Sequence, residues 1–285
     1  MRRGVGYPRP GVRSIAVRSM RRAAWLAGLM AAALAAYVLT PLAQAAGSPA
    51  VRIKLGVPVA FNGKAAVGAL FTESDGKLIR HFCTASVVAS PGKNLLITAA
   101  HCVQGRSLSH IVFAPGYHDG TFPHGIWIVR AVYVNSAWAD DRNQNDDVAF
   151  LVAGRPGSRI QRYTGAQTLA IGQPPQVVQV IGYPNATSRP ITCTARARNF
   201  DHGHQMVFDC DDYTNGTSGG PFLAHVNSRG GGGQVIGVIG GYQEGGDTPD
   251  ISYSPRFFSN IRSLYETAVA GSTASGATLP APGSG

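Results

Sequence analysis

From Ala65 to Tyr242 the chain alternates short apolar runs with clusters of turn residues. "AAVGALFT" precedes "ESDG", "HFCTASVVAS" precedes "PGKN", and "LLITAAHCV" follows. Further on come "HIVFAPG", "GIWIVRAVYV", "DVAFLVAG", "QVVQVIGYP", "ITCTARARNF", "QMVFDC", "GGPFLAHV" and "GQVIGVIGGY". Each run is rich in Val, Ile and aromatic residues and is bounded by Gly, Pro, Asn or Asp. Many short strands punctuated in this way predict an all-β sandwich or barrel.

Two segments break the pattern. In "SPRFFSNIRSLYETAVA", residues 254–270, Phe257, Phe258, Ile261, Leu264 and Tyr265 recur at helical spacing. Ser254 and Pro255 suit the cap and first position of a helix, so a C-terminal amphipathic helix is expected over 254–270. The remaining residues, 271–285, hold no large apolar side chain except Leu279 and are expected to be a disordered tail. At the other end, Arg21 and Arg22 precede an apolar run from Ala23 to Leu39, then Thr40-Pro41 and the small-residue site Ala43-Gln44-Ala45. This reads as a signal peptide over 1–45, cleaved after Ala45. The competing reading is a retained anchor, for which the run is at the short limit. Met20 is an alternative start, and Arg21-Arg22 is a weak match to a twin-arginine signal, so ordinary secretion is expected.

The formal charge of +10 would suggest a nucleic acid or an acidic membrane as partner. Its distribution argues against both. Residues 1–45 hold seven Arg and no acid, so their removal leaves about +3 on the rest. No nucleic-acid partner and no stable membrane association are expected after signal cleavage, and a monomer is expected. The four cysteines, Cys83, Cys102, Cys193 and Cys210, imply disulfides in an exported chain, with three pairings possible. Short-range pairing, Cys83–Cys102 and Cys193–Cys210, closes two small loops. No C-x-x-C spacing supports a zinc or redox site. Asp140, Asp141 and Asp146 lack a calcium-loop spacing, so no metal or cofactor is expected.

Three motifs carry candidate chemistry: Thr98-Ala99-Ala100-His101-Cys102 after a strand, Asp147 before the run "VAFLVA", and Asn215-Gly216-Thr217-Ser218-Gly219-Gly220-Pro221. Taken singly, each has a plainer explanation: a loop histidine, a strand-end acid, a glycine turn. Taken together they supply a complete set of parts. A serine hydroxyl needs a base to take its proton. Imidazole titrates near neutrality, and a carboxylate behind it fixes the tautomer and stabilises the imidazolium. Acyl transfer also needs preorganised N–H donors for an oxyanion, which Gly216 and Ser218 can offer because Gly216 tolerates the turn.

The order His101, Asp147, Ser218, with the T-A-A-H-C and G-x-S-G-G-P motifs, resembles chymotrypsin-like (trypsin-fold) serine proteases. It is most similar to the short secreted bacterial trypsin-like and glutamyl-endopeptidase-like members. The resemblance spans about Val51 to Ala270. It implies two six-stranded antiparallel Greek-key β-barrels with a C-terminal α-helix, in a protease domain over 46–270 with barrels at about 50–155 and 156–253. It also implies hydrolysis of protein or peptide substrates by Ser218 as nucleophile, His101 as base and Asp147, rather than Asp146, as orienter. The alternative is a non-catalytic binding protein of the same fold.

The sequence departs from the family's pattern at Thr217. Trypsin-like enzymes usually carry an Asp there, which binds the new N-terminus after zymogen cleavage, so activation by that route is not implied. By residue counting, Asp212 falls at the base of the specificity pocket. Gly240, Gly241 and Tyr242 fall on its opposite wall, where the glycines would leave room for an extended substrate.

Overall fold

A computed structural model describes residues 56–227 and 232–274. The expected signal peptide over 1–45, its expected cleavage after Ala45 and the expected tail from residue 275 on lie outside the described residues. The first half is a closed antiparallel barrel of six strands: β2 (Val67–Ser74), β3 (Lys77–Val88), β4 (Leu95–Thr98), β5 (Ile111–Pro115), β6 (Trp127–Val134) and β7 (Ala149–Gly154). They close in the order β2-β3-β4-β7-β6-β5. A short helix, α1 (Ser136–Asp141), lies between β6 and β7, and α2 (Gln161–Thr164) follows the barrel.

The barrel strands are apolar on both faces, which is why their sequences read as runs rather than strict alternations. Leu70, Leu96, Phe113, Trp127 and Leu151 belong to one buried cluster, drawn from strands all around the barrel. Their sequence neighbours Ala69, Phe71, Leu95, Ile97, Phe150 and Val152 point the other way. They join a second cluster with Ile181, Tyr183, Leu223 and Val238 of the other half. The interface between the halves is therefore core, and a site between them stands on a rigid base.

The second half holds two sheets. The larger runs in the order β1 (Val59–Ala60), β10 (Ile191–Arg196), β9 (Val177–Gly182), β13 (Pro221–Ala224), β14 (Gln234–Val238) and β8 (Thr168–Leu169). The smaller joins β11 (Arg198–Phe200), β12 (Gln205–Asp209) and β15 (Ile251–Pro255). All strand pairs are antiparallel except β14 with β8. Counting from residue 50 would place β1 in the first barrel, but Val59 and Ala60 pair with Thr192 and Ile191 instead. Gly56 permits this crossing, since a Cβ there would meet Cys193 Sγ at 2.4 Å.

The C-terminal helix, α3, spans Ser259–Ala274, not 254–270. Ser254 is no cap. It is fully buried in β15 opposite Met206, where its hydroxyl accepts from Val238 N–H and donates to Pro255 O, each at 2.9 Å. Pairing across β15 outweighs the local Ser-Pro signal. Ile261, Leu264 and Ala268 then bury one helix face against the first barrel, and Tyr265 Oη donates to Ala89 O at 2.8 Å. Residues 271–274, expected in the tail, complete the helix. Phe258 precedes it, exposed beneath the Arg256 guanidinium.

Candidate active site

The turn after β4 carries His101. Thr98 Oγ1 donates to Thr84 O at 2.7 Å, fixing the strand end. Ala99 and Ala100 are fully buried, so the chain turns inside the core and leaves His101 at its edge. Cys102 is tied to Cys83 of β3, nineteen positions earlier, with Cα atoms 6.1 Å apart. The second disulfide joins Cys193 to Cys210. Both pairings are the short-range ones. Cys83, His101 and Cys102 bring three potential ligand atoms within 4.8 Å, but the sulfurs share a disulfide and offer no thiolate to a metal.

Asp147 reaches His101 from the turn before β7. Its carboxylate is fully buried and accepts three N–H bonds. His101 N–H bonds Oδ1 at 2.9 Å, His101 Nδ1 lies 2.8 Å from Oδ2, and Gly241 N–H bonds Oδ2 at 2.8 Å. A carboxylate only accepts, so Nδ1 carries the proton and Nε2 of a neutral ring is the basic nitrogen. Gly240 makes the approach possible, because a Cβ there would sit 2.9 Å from Asp147 Oδ2. Asp146 faces away, accepting from Asn135 Nδ2 at 2.6 Å and Asn260 Nδ2 at 2.8 Å, and so ties α3 to the barrel. Burial alone would lower the His101 pKa. The charge and hydrogen bond of Asp147, with the charge of Glu244, outweigh it and hold the pKa above the ordinary value. His81 is the contrast. It is buried, donates from Nε2 to Pro184 O at 3.0 Å, and is pushed down chiefly by desolvation, with Arg80 adding to the effect.

Ser218 lies in the turn before β13, on the same cleft as His101. Among the described residues, no hydrogen bond joins its Oγ to His101 Nε2, and none occupies the N–H groups of Gly216 or Ser218. Gly216 has φ +99°, and a Cβ there would meet Tyr183 O at 2.5 Å. Thr217 is buried, donates to Thr214 O at 2.8 Å and packs its methyl toward Gly182, so it braces the turn from within.

A residue that sequence reasoning passed over holds this turn. Thr84, fully buried in β3, donates through Oγ1 to Gly216 O at 2.9 Å and accepts there from Tyr183 N–H at 2.9 Å. Its backbone N–H donates to Ser218 O at 2.7 Å. One residue of the first barrel thus clamps both peptides of the serine turn, Gly216 O through its hydroxyl and Ser218 O through its backbone N–H. The only signal in the sequence is a threonine beside Cys83, which is too common to read.

The cleft measures about 680 Å³. Its walls include Phe82, Arg106, Tyr213, Gln243, Glu244 and Asp247. Asp212, Gly240, Gly241 and Tyr242 are not among the residues that line it. Asp212 is exposed at φ +65°. Gly241 N–H is taken by Asp147 and Tyr242 N–H by Gln205 Oε1, while the Tyr242 ring packs on Phe200 and Tyr253. The wall is built instead by the next turn, where Gln243 and Glu244 both adopt left-handed conformations. Such strain in non-glycine residues concentrates at functional sites.

A family model described as a trypsin-like peptidase domain matches residues 83–238. The structure is similar to that of the protease Anisep from Arthrobacter nicotinovorans, at 25% identity and TM-score 0.65, covering 75% of this chain and 99% of that one. It is also similar to the thermostable serine protease AL20 from an extremophilic microorganism, at 27% identity and TM-score 0.61, covering 73% and 98%. A Glu endopeptidase in complex with MPD shares the fold at 17% identity and TM-score 0.57, covering 75% and 96%. No curated protein sequence matches significantly.

Proposed function

Because the chain belongs to the trypsin-like peptidase domain family and has the chymotrypsin-like fold, we propose that it is a secreted serine endopeptidase working through Ser218, His101 and Asp147. The observation that carries this reading is the bond from His101 Nδ1 to the buried Asp147 carboxylate, in a cleft shared with Ser218. With Nδ1 protonated, Nε2 accepts the Ser218 proton as Oγ bonds to the substrate carbonyl carbon. The carbonyl electrons move onto oxygen, where the unoccupied N–H groups of Gly216 and Ser218 receive them. Collapse breaks the C–N bond, and His101 gives its proton to the leaving amine, leaving an acyl ester on Ser218. Water then attacks the ester, losing a proton to His101; the acyl C–Oγ bond breaks, His101 returns the proton to Ser218 Oγ, and the acid is released. Asp147 stabilises the imidazolium at both stages.

Export is supported by the signal-like pattern of residues 1–45 and by two disulfides. No helix among the described residues is long and apolar enough to cross a membrane. Thr217 serves as an internal brace, so the enzyme needs no N-terminal ion pair and is competent once folded. Incubation with a fluorophosphonate probe tests the nucleophile: wild type labels and Ser218→Ala does not. Folded wild type that fails to label, or a variant that labels equally, would overturn the assignment.

A further inference from the structure

The cleft carries opposite charges on two of its walls. Arg106 follows Cys102 by four residues and Phe82 precedes Cys83, so the disulfide between those cysteines holds the two side by side. The Arg106 guanidinium carbon lies 3.8 Å from the centroid of the Phe82 ring, and both side chains line the cleft. Stacking of this kind orients the planar donor fork and leaves its edge free for a carboxylate. Arg106 forms no ion pair among the described residues. The acids of the cleft, Glu244 and Asp247, belong to the wall on the segment after Gly241.

The chemistry sets which half of a substrate meets Arg106. His101 must hand its proton to the leaving amine, so the leaving half of the peptide departs past the neighbours of His101. Those neighbours include the Cys83–Cys102 bridge, whose Cys102 Sγ lies 3.8 Å from His101 Nε2, with Phe82 and Arg106 next along the chain from the bridge. The acyl half, fixed to Ser218, extends along the turn 213–218 and the wall that carries Glu244 and Asp247. We propose that Arg106, stacked on Phe82, is the receptor for a carboxylate carried on the leaving side of the scissile bond. This rests on the reading of the cleft as a serine endopeptidase site. Arg106 is exposed, and its guanidinium lies on a ring that lines the same cleft as Ser218 and His101. A guanidinium–carboxylate pair is directional and bidentate, and a carboxylate placed on the other wall meets like charge.

The carboxylate has two possible sources, an Asp or Glu side chain or the substrate's own C-terminus, and one peptide series separates them. Internally quenched peptides of a single sequence carry Glu, Gln or Lys at the first two leaving-side positions, all ending in an amide. A fourth peptide carries Gln and ends there as the free acid. The ratio of kcat/KM for Glu over Gln at low salt is expected to be about five-fold in wild type, the scale of a fixed but partly exposed ion pair. It should fall to unity in Arg106→Gln, invert in favour of Lys in Arg106→Glu, and survive in reduced form in Arg106→Lys. A gain confined to the free-acid peptide, also lost in Arg106→Gln, assigns the receptor to the substrate C-terminus. Equal ratios in wild type and Arg106→Gln, or no preference for either carboxylate in wild type, would overturn the proposal. Fluorophosphonate labelling involves no leaving-side residue and reports the assembled site separately. Labelled wild type without charge preference defeats this inference alone, whereas unlabelled wild type defeats the parent reading and this one with it.

Discussion

Replacing Thr84 by valine removes one hydroxyl and keeps the shape of the side chain. In the native structure that oxygen donates to Gly216 O and accepts from Tyr183 N–H, both at 2.9 Å and both away from water. Neither backbone group has another partner among the described residues. The variant therefore leaves one buried acceptor and one buried donor unsatisfied, at about 1–3 kcal/mol each, so stability should fall by about 2–6 kcal/mol. Catalysis should fall for a separate reason. The Gly216 carbonyl is the handle by which β3 sets the orientation of the turn, and Gly216 and Ser218 N–H depend on that orientation. Full loss of one oxyanion donor costs about 10²–10³ in kcat, and loosening it should cost at least roughly ten-fold, with KM little changed, because the interaction matters most in the transition state. Urea unfolding and steady-state kinetics on a fluorogenic peptide read the two effects. Thr84→Ser, which keeps the hydroxyl, should recover most of kcat. A Thr84→Val protein with wild-type kcat, and with stability within about 0.5 kcal/mol of wild type, would refute the clamp.

Glu244→Gln removes one of the charges that raise the His101 pKa. The base must be neutral to accept a proton, so the rising limb of the pH–kcat/KM profile should move to lower pH; a limb that stays in place or moves up would count against this electrostatic role. For folding the sign is the reverse. A histidine whose pKa is raised in the folded state stabilises fully below its ordinary value of about 6.5 and loses that contribution as pH rises through the raised one. Removing the second disulfide with Cys193→Ala and Cys210→Ala frees a loop closed across seventeen positions, and should lower stability by about 3 kcal/mol in urea unfolding. A loss below about 1 kcal/mol would show that the unfolded chain is already compact there.

The all-β class, the two motifs that carry His101 and Ser218, and the order of the triad candidates were legible in the chain. Each rests on local grammar. Apolar runs between turn residues set strands, and a glycine needed at φ +99° before a serine marks a shaped turn. What was not legible is what packing brings together from afar. Between Asp146 and Asp147 the family resemblance favoured Asp147, but nothing in the sequence says what Asp146 does. The turn before β7 sends Asp147 to His101 and Asp146 to Asn135 and Asn260. Ser254-Pro255 is a good helix start by local propensity, yet ladder pairing with β12 draws it into β15. Residue counting placed Asp212 at the pocket base without registering that it takes a left-handed conformation and is exposed. Thr84 has no sequence signature, because its role exists only once β3 lies against the serine turn. The sequence by itself determined which elements form and which residue types are available for chemistry, since those follow from interactions a few residues apart. The tertiary structure alone decided what holds Asp146, which hydroxyl holds the serine turn and which charges line the cleft, because those depend on contacts between segments far apart in the chain, such as Thr84 and Gly216, 132 positions apart.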